Sequence, residues 1–319
     1  MRDHHETAVG ETALDQELDR SLREFHPDIR RIGLRYLPTA TLHGELLLRS
    51  YGALTTHERE GSRNGDESTD PVDTAVAVEL FRAYGLTREL SLHEDADTEP
   101  GVAPSPPSIL AGDRFLSTSF DRIARETAST RRISCGIRTA SATVEQFCTF
   151  RSDRGTDDEA DGRTDDRADG RTGDDVLARH GDDGLDSVGI VTPALTGVLA
   201  VDLAAVLARG SPNASEPLRA AGASIGASIA CRRLAPGSAP RRDRPTAVEP
   251  RHDADAPGWS RDGSNPYRAL GGGEVRFDRL ATEHLEDARR HLGDASALVS
   301  ESFGGYFDRI DGVASEPIR

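Results

Sequence analysis

Residues Thr74 to Thr127 read TAVAVELFRAYGLTRELSLHEDADTEPGVAPSPPSILAGDRFLSTSFDRIARET, and this stretch decides the fold. Ala75, Val76, Leu80, Phe81, Tyr84, Leu86, Leu90 and Leu92 recur at helical spacing and cover more than half of the helix circumference. A helix with so wide an apolar face belongs at the centre of a bundle. Asp70 and Pro71 supply its start, because an N-cap carboxylate accepts free amide protons and proline at the first helical position gives up no needed donor. The helix closes in His93-Glu94-Asp95-Ala96-Asp97, and Pro100, Pro104, Pro106 and Pro107 stop any continuation. Ser105 or Pro106 opens the next helix, which runs through Leu110, Phe115, Leu116, Phe120 and Ile123.

The flanking chain repeats this helical character. Leu14, Leu18, Leu22 and Phe25 mark an amphipathic helix over Thr12–Phe25, followed by one near Asp28–Tyr36 and another over Thr41–Leu54. Glu58–Thr69 reads as a polar loop. A helix from Thr130 to Phe150 follows the central pair, Thr192-Pro193 opens a strongly apolar one ending near Gly210, and Glu216–Leu234 supplies another. Glu274–Leu292 and Ala295–Ile310 close the chain. No stretch alternates as a strand does, so the expected fold is all-α, a single helical bundle over residues 1–319. Ser152–Asp186, with its ADGRTDDR/ADGRTGDD repeat, and Ala235–Gly273, which holds Trp259, are too polar to join a core and are expected to be disordered insertions.

Charge excludes several functions. The chain carries 55 Asp and Glu against 39 basic residues, for a net charge of -16. All of the basic residues are Arg. Such a surface repels nucleic-acid phosphates and anionic lipid heads. An acidic, lysine-free, aromatic-poor chain fits a cytoplasm of high salt, where screening contracts to about 3 Å at 1 M; a GC-rich coding bias gives the same composition. Cys135, Cys148 and Cys231 are odd in number and lack CxxC spacing, so they suggest neither a disulfide framework nor a zinc site, and buried, reduced thiols are expected. The N-terminus has no apolar leader, and Val188–Ala208 approaches membrane-spanning length but contains Asp202, Thr192, Thr196 and Pro193, so a buried core helix is expected. No HExxH occurs, and the Asp-rich repeats lack the twelfth-position Glu of a calcium loop.

Carboxylates at i and i+4 on a helix point the same way and can share a hard cation. The residues Glu94, Asp95 and Asp97, with His93 before them and Glu99 after, are the candidate metal ligands; a solvated helix end would carry the same charges. LHEDADT followed by SILAGDRFLSTSF resembles the first aspartate-rich region of the trans-polyprenyl (isoprenyl) diphosphate synthases. In the same way Val191-Thr192-Pro193-Ala194-Leu195 resembles their KTAxL element. LRAAGASIGASIACRRLAP, from Leu218 to Pro236, is similar to their LRxYGxxLGLAFQIxDDxxD helix. The resemblance implies the isoprenoid-synthase fold, in which two acidic clusters face one another across a cavity and magnesium draws off diphosphate from an allylic substrate.

The matching positions are those of the scaffold. Thr98 stands where the last aspartate of the first cluster belongs, and Glu99-Pro100-Gly101 replaces an arginine-bearing clamp. Pro38–Gly44 replaces a second clamp, leaving His43 as its weakly basic remnant. Val191 replaces the lysine, and Arg233-Leu234 replaces the second aspartate pair. The resemblance therefore implies a catalytically degenerate synthase-like protein without catalytic residues, binding a prenyl chain or serving as the partner, in a homodimer or heterodimer, of an active polyprenyl diphosphate synthase. Two alternatives remain open on these residues. One is an active magnesium-dependent prenyltransferase with a rearranged metal site, and the other an unrelated helical interaction module.

Overall fold

The computed structural model describes residues 3–37, 41–59, 70–93, 106–125, 129–154, 188–209, 214–234, 274–295 and 303–312. Among them there is no strand, and ten helices are present: α1 (Asp3–Glu24), α2 (Pro27–Tyr36), α3 (Leu42–Arg59), α4 (Val72–His93), α5 (Pro106–Arg125), α6 (Thr130–Arg154), α7 (Val188–Arg209), α8 (Glu216–Leu234), α9 (Glu274–Ala295) and α10 (Gly304–Gly312). The all-α expectation is met. The N-cap of α4 is met as well, since Asp70 Oδ1 accepts the Val72 amide at 3.1 Å.

Several boundaries differ from expectation. α1 begins at Asp3, well before Thr12, and α3 continues to Arg59, into the expected polar loop. α6 runs to Arg154, inside the first expected insertion; the rest of both insertions lies outside the described residues. Pro193 does not open α7 but sits inside it, because the helix starts at Val188. Pro193 is its sixth residue, past the first turn, so the missing amide forfeits the bond to the Gly189 carbonyl, and packing of the apolar run must offset that loss. The tenth helix starts at Gly304 instead of Ala295, and residues 296–302 are not described.

α7 is the axis. Every residue from Ile190 to Leu207 is buried, and the helix touches α3, α4, α6 and α8. The apolar stretch long enough to cross a membrane, Ile190–Arg209, is thus enclosed by its own bundle. α4 lies beside it and packs against α5, with Phe81 on Phe147 of α6 at 5.5 Å between ring centres. α1 and α2 cover α4 and α5: Phe25 meets Phe115 at 5.7 Å, and Arg122 of α5 bonds to Asp73 of α4, Glu17 and Ser21 of α1.

α7 and α8 approach backbone to backbone. A β-carbon on Gly197 would strike the carbonyl of Gly222, and one on Gly226 would strike the carbonyl of Pro193. On the outer side of α8, α9 adds Phe277 and Ala281 against Ala223, Ala227 and Ala230, a small second cluster beside the main core. The cysteines follow this packing only in part: Cys135 and Cys231 are buried, while Cys148 is exposed on α6, against the expectation of three buried thiols. Burial pushes the Cys231 thiol up to about 12, so it stays protonated and unreactive.

Candidate functional site

The segments that carry the sequence signature meet at one end of the bundle. Gly85, near the end of α4, faces Thr192 at the start of α7 so closely that a β-carbon there would strike the threonine methyl. Pro193 faces Gly226 of α8. Arg233 lies seven residues beyond Gly226, about 10 Å farther along α8 at the helical rise. The ends of α4 and α8 and the start of α7 therefore share a locus, the one at which two acidic clusters would oppose each other.

Glu94, Asp95 and Asp97 follow α4 directly and lie outside the described residues. Among the described residues no group of three or more His, Cys, Asp or Glu side chains could hold a metal. On the α8 side the donor set does not fit magnesium, because Arg232 and Arg233 occupy the last turn and repel a cation. Val191, in place of the lysine, is buried.

A layer of buried polar groups lies behind this end. Glu79 and Arg82 pair on α4 at 3.1 Å, with side chains 0% and 1% exposed. Glu79 also accepts the amide of Gly44 on α3 at 2.9 Å. His43, next in chain, is fully buried, and its Nε2 lies 3.2 Å from the Pro193 carbonyl. A carbonyl only accepts, so Nε2 carries the proton and Nδ1 presents a lone pair, which finds no partner among the described residues. Burial, then the charges of Arg82 and Arg233, hold the imidazole well below its ordinary value and keep it neutral. The weakly basic remnant expected at His43 is thereby corrected, since no charge develops there near neutrality.

Beside it, Glu45 bonds Arg49 at 2.7 Å and Arg309 of α10 at 2.8 Å, and the Tyr306 hydroxyl donates to the Leu42 carbonyl at 2.6 Å. Burial, with Glu45 adding its negative charge, drives the Tyr306 phenol well above its usual range, so it remains a donor.

Sequence reasoning passed over Glu79 and Arg82. A usable signal existed: opposite charges three residues apart within the apolar run from Ala75 to Leu86 have nowhere to go but inward, as a pair.

A second buried charge sits deeper along α7. Asp202 Oδ2 lies 3.2 Å from Arg219 Nε of α8, while its Oδ1 is sealed without a partner among the described residues. Arg219 is 38% exposed, so solvent screens its pull, and burial wins, raising the Asp202 carboxyl to about 7. The unfolded value is about 3.9. The folded state thus binds this proton more tightly, and stability falls as pH rises from about 4 to about 7, by at most about 4 kcal/mol. Asp202→Asn should remove that slope: urea melts at pH 4.5, 6 and 8 should show the variant gaining on the parent as pH rises. Parallel curves at all three values would refute the assignment.

No protein-family model matches the sequence, and no curated protein matches it. Solved structures do. The geranylgeranyl pyrophosphate synthetase of the archaeon Geoglobus acetivorans aligns at TM-score 0.53 and 16% identity over 98% of this chain and 99% of its own. A geranyltransferase from Legionella pneumophila aligns at TM-score 0.54 and 11% identity over 99% of both chains. One from Helicobacter pylori aligns at TM-score 0.53 and 12% identity over 96% and 98%. The bundle has the trans-prenyl diphosphate synthase fold. The likeness runs the length of the chain, which answers the reading of an unrelated helical module, and at these identities it speaks for the fold alone.

Proposed function

We propose that the chain is a catalytically degenerate, synthase-like protein of isoprenoid metabolism, binding a prenyl chain or pairing with an active polyprenyl diphosphate synthase. Arg233 carries this reading. It stands on α8 where a second carboxylate pair would have to face the first, and its charge acts inward on His43. A lone acidic segment at Glu94, Asp95 and Asp97 is half of a two-sided magnesium site, and electrostatic stabilisation of a departing diphosphate needs both halves. The reading extends to a single cytoplasmic domain adapted to high salt.

Incubating the purified protein at high salt with magnesium, isopentenyl diphosphate and an allylic diphosphate should yield no longer product. Chain elongation that disappears on Asp95→Ala would overturn this and favour the second reading, a working prenyltransferase with a rearranged metal site built from Glu94, Asp95, Asp97 and Glu99. The acidic pattern that closes α4 is the observation in that reading's favour.

A further inference from the structure

The last helix of the bundle has no stability of its own. α10 is nine residues long and begins with Gly304 and Gly305, whereas isolated helices are marginal below about 12–15 residues and glycine is a weak helix former. Packing does not call for those glycines, since a β-carbon on either meets nothing within 4 Å. The order of α10 therefore comes from docking. Phe303, just before it, and Tyr306, Phe307 and Ile310 on one face are buried, while Asp308 and Asp311 are exposed.

The docked helix covers the end of the bundle at which the signature segments meet. On α3, the Tyr306 hydroxyl donates to the Leu42 carbonyl at 2.6 Å, Arg49 lies over the Tyr306 ring at 5.4 Å, and Arg309 pairs with Glu45 at 2.8 Å. On the last turn of α8, Arg232 holds Asp311 at 2.6 Å. From α9, Arg289 lies 3.7 Å from Asp311 and 4.9 Å from the centre of the Phe307 ring. A buried charge left without its partner is what makes such a contact permanent. Neither anchor on the bundle would be left so. Glu45, 1% exposed, keeps Arg49 of its own helix at 2.7 Å, and Arg232 keeps Asp278 of α9 at 3.7 Å.

We propose that α10 is a strap that releases from the bundle as one unit, with Glu45 and Arg232 as its anchor points, and that release uncovers the start of α3 and the last turn of α8. A short segment passing between ordered and disordered forms is a two-state element, and the ties at Arg309 and Asp311 set its balance. The inference stands whether or not chemistry remains at that end.

Hydrogen exchange of the full chain under native conditions, read by mass spectrometry of short fragments, tests it. Amides from Tyr306 to Gly312 should exchange together by local opening, about a hundredfold or more faster than those of α7. Arg309→Gln with Asp311→Asn should quicken that exchange about fivefold or more and leave α7 unchanged. Asp308→Asn, which removes a charge from the exposed side of α10, should leave both unchanged. Gly305→Ala should slow α10 alone by about threefold or more, because the helix gains propensity without a new contact. Glu45 should react with a water-soluble carbodiimide several-fold faster in the double variant than in the parent. Equal protection of α10 and α7 overturns the inference, because the helix then opens only with the whole bundle. A gradient that leaves Tyr306 and Phe307 as protected as α7 while Gly312 exchanges freely marks fraying of an end, and overturns it too. Unchanged labelling of Glu45, or an Asp308→Asn effect as large as that of the double variant, also overturns it.

Discussion

Gly226→Val should leave a chain without a cooperative unfolding transition, and Gly226→Ala one that melts well below the parent. The β-carbon of either residue would be driven into the Pro193 carbonyl and to 2.9 Å from the Ala194 Cα, both of them backbone atoms of a helix buried on all sides. A side chain can swing away from a clash; a helix backbone moves only as a whole. Ordinary overpacking costs about 1–3 kcal/mol, and prising α7 away from α8 would also undo the close backbone approach at Gly197 and Gly222. Against a total stability of about 5–15 kcal/mol, valine takes most of what the fold has. Gly52 is the control. A β-carbon there meets nothing within 4 Å on the exposed side of α3, so Gly52→Ala should stabilise by about 0.5–1 kcal/mol through helix propensity. Thermal melts of the three variants decide the matter, and a Gly226→Ala protein as stable as the parent would sink the close-packing argument.

Arg82→Ala should cost about 3–5 kcal/mol, because it strands the Glu79 carboxylate in the core with, among the described residues, the Gly44 amide left to answer it. The loss arises from an uncompensated buried charge, so it should shrink when that charge is removed as well. The double variant Arg82→Met with Glu79→Gln should recover much of the stability, since replacing a buried pair by neutral groups of similar volume is often tolerated. Urea denaturation of the single and double variants gives the coupling directly. A double variant no more stable than Arg82→Ala would show that Arg82 matters for its packing and not for its charge.

The two glycines and the ion pair mark the division between what the sequence told and what it withheld. The length and centrality of α4, its cap at Asp70 and the renewed helix at Pro106 were legible because apolar periodicity, an N-cap and proline are local signals. The course of α7 was less so: Thr192-Pro193 looks like a helix start, and only packing against α3, α4 and α8 explains why the helix already begins at Val188. Gly226 and Gly222 read as family scaffold, yet nothing in the sequence says which carbonyl they meet. At the site, the replacement of a carboxylate pair by Arg233 was plain from the alignment of motifs. That the charges of Arg82 and Arg233 both act on His43 was not, since the three residues lie on three different helices. Glu94, Asp95 and Asp97 remain as the sequence left them, a proposal for mutagenesis.

The Tyr306 hydroxyl and the Leu42 carbonyl that it caps are 264 residues apart, and the nearby bond from Arg309 to Glu45 spans the same interval. Contacts this remote in sequence form late, because the closure entropy of the whole chain must be met before they return anything. During synthesis the helical hairpins α4–α5 and α7–α8 can assemble from neighbouring residues as they emerge. The start of α3 cannot be finished then, and the Glu45 carboxylate waits without its second cation until α10 leaves the ribosome. The last helix is therefore the latch of the folding reaction, and until it docks the end of the bundle bearing His43 stays open to water.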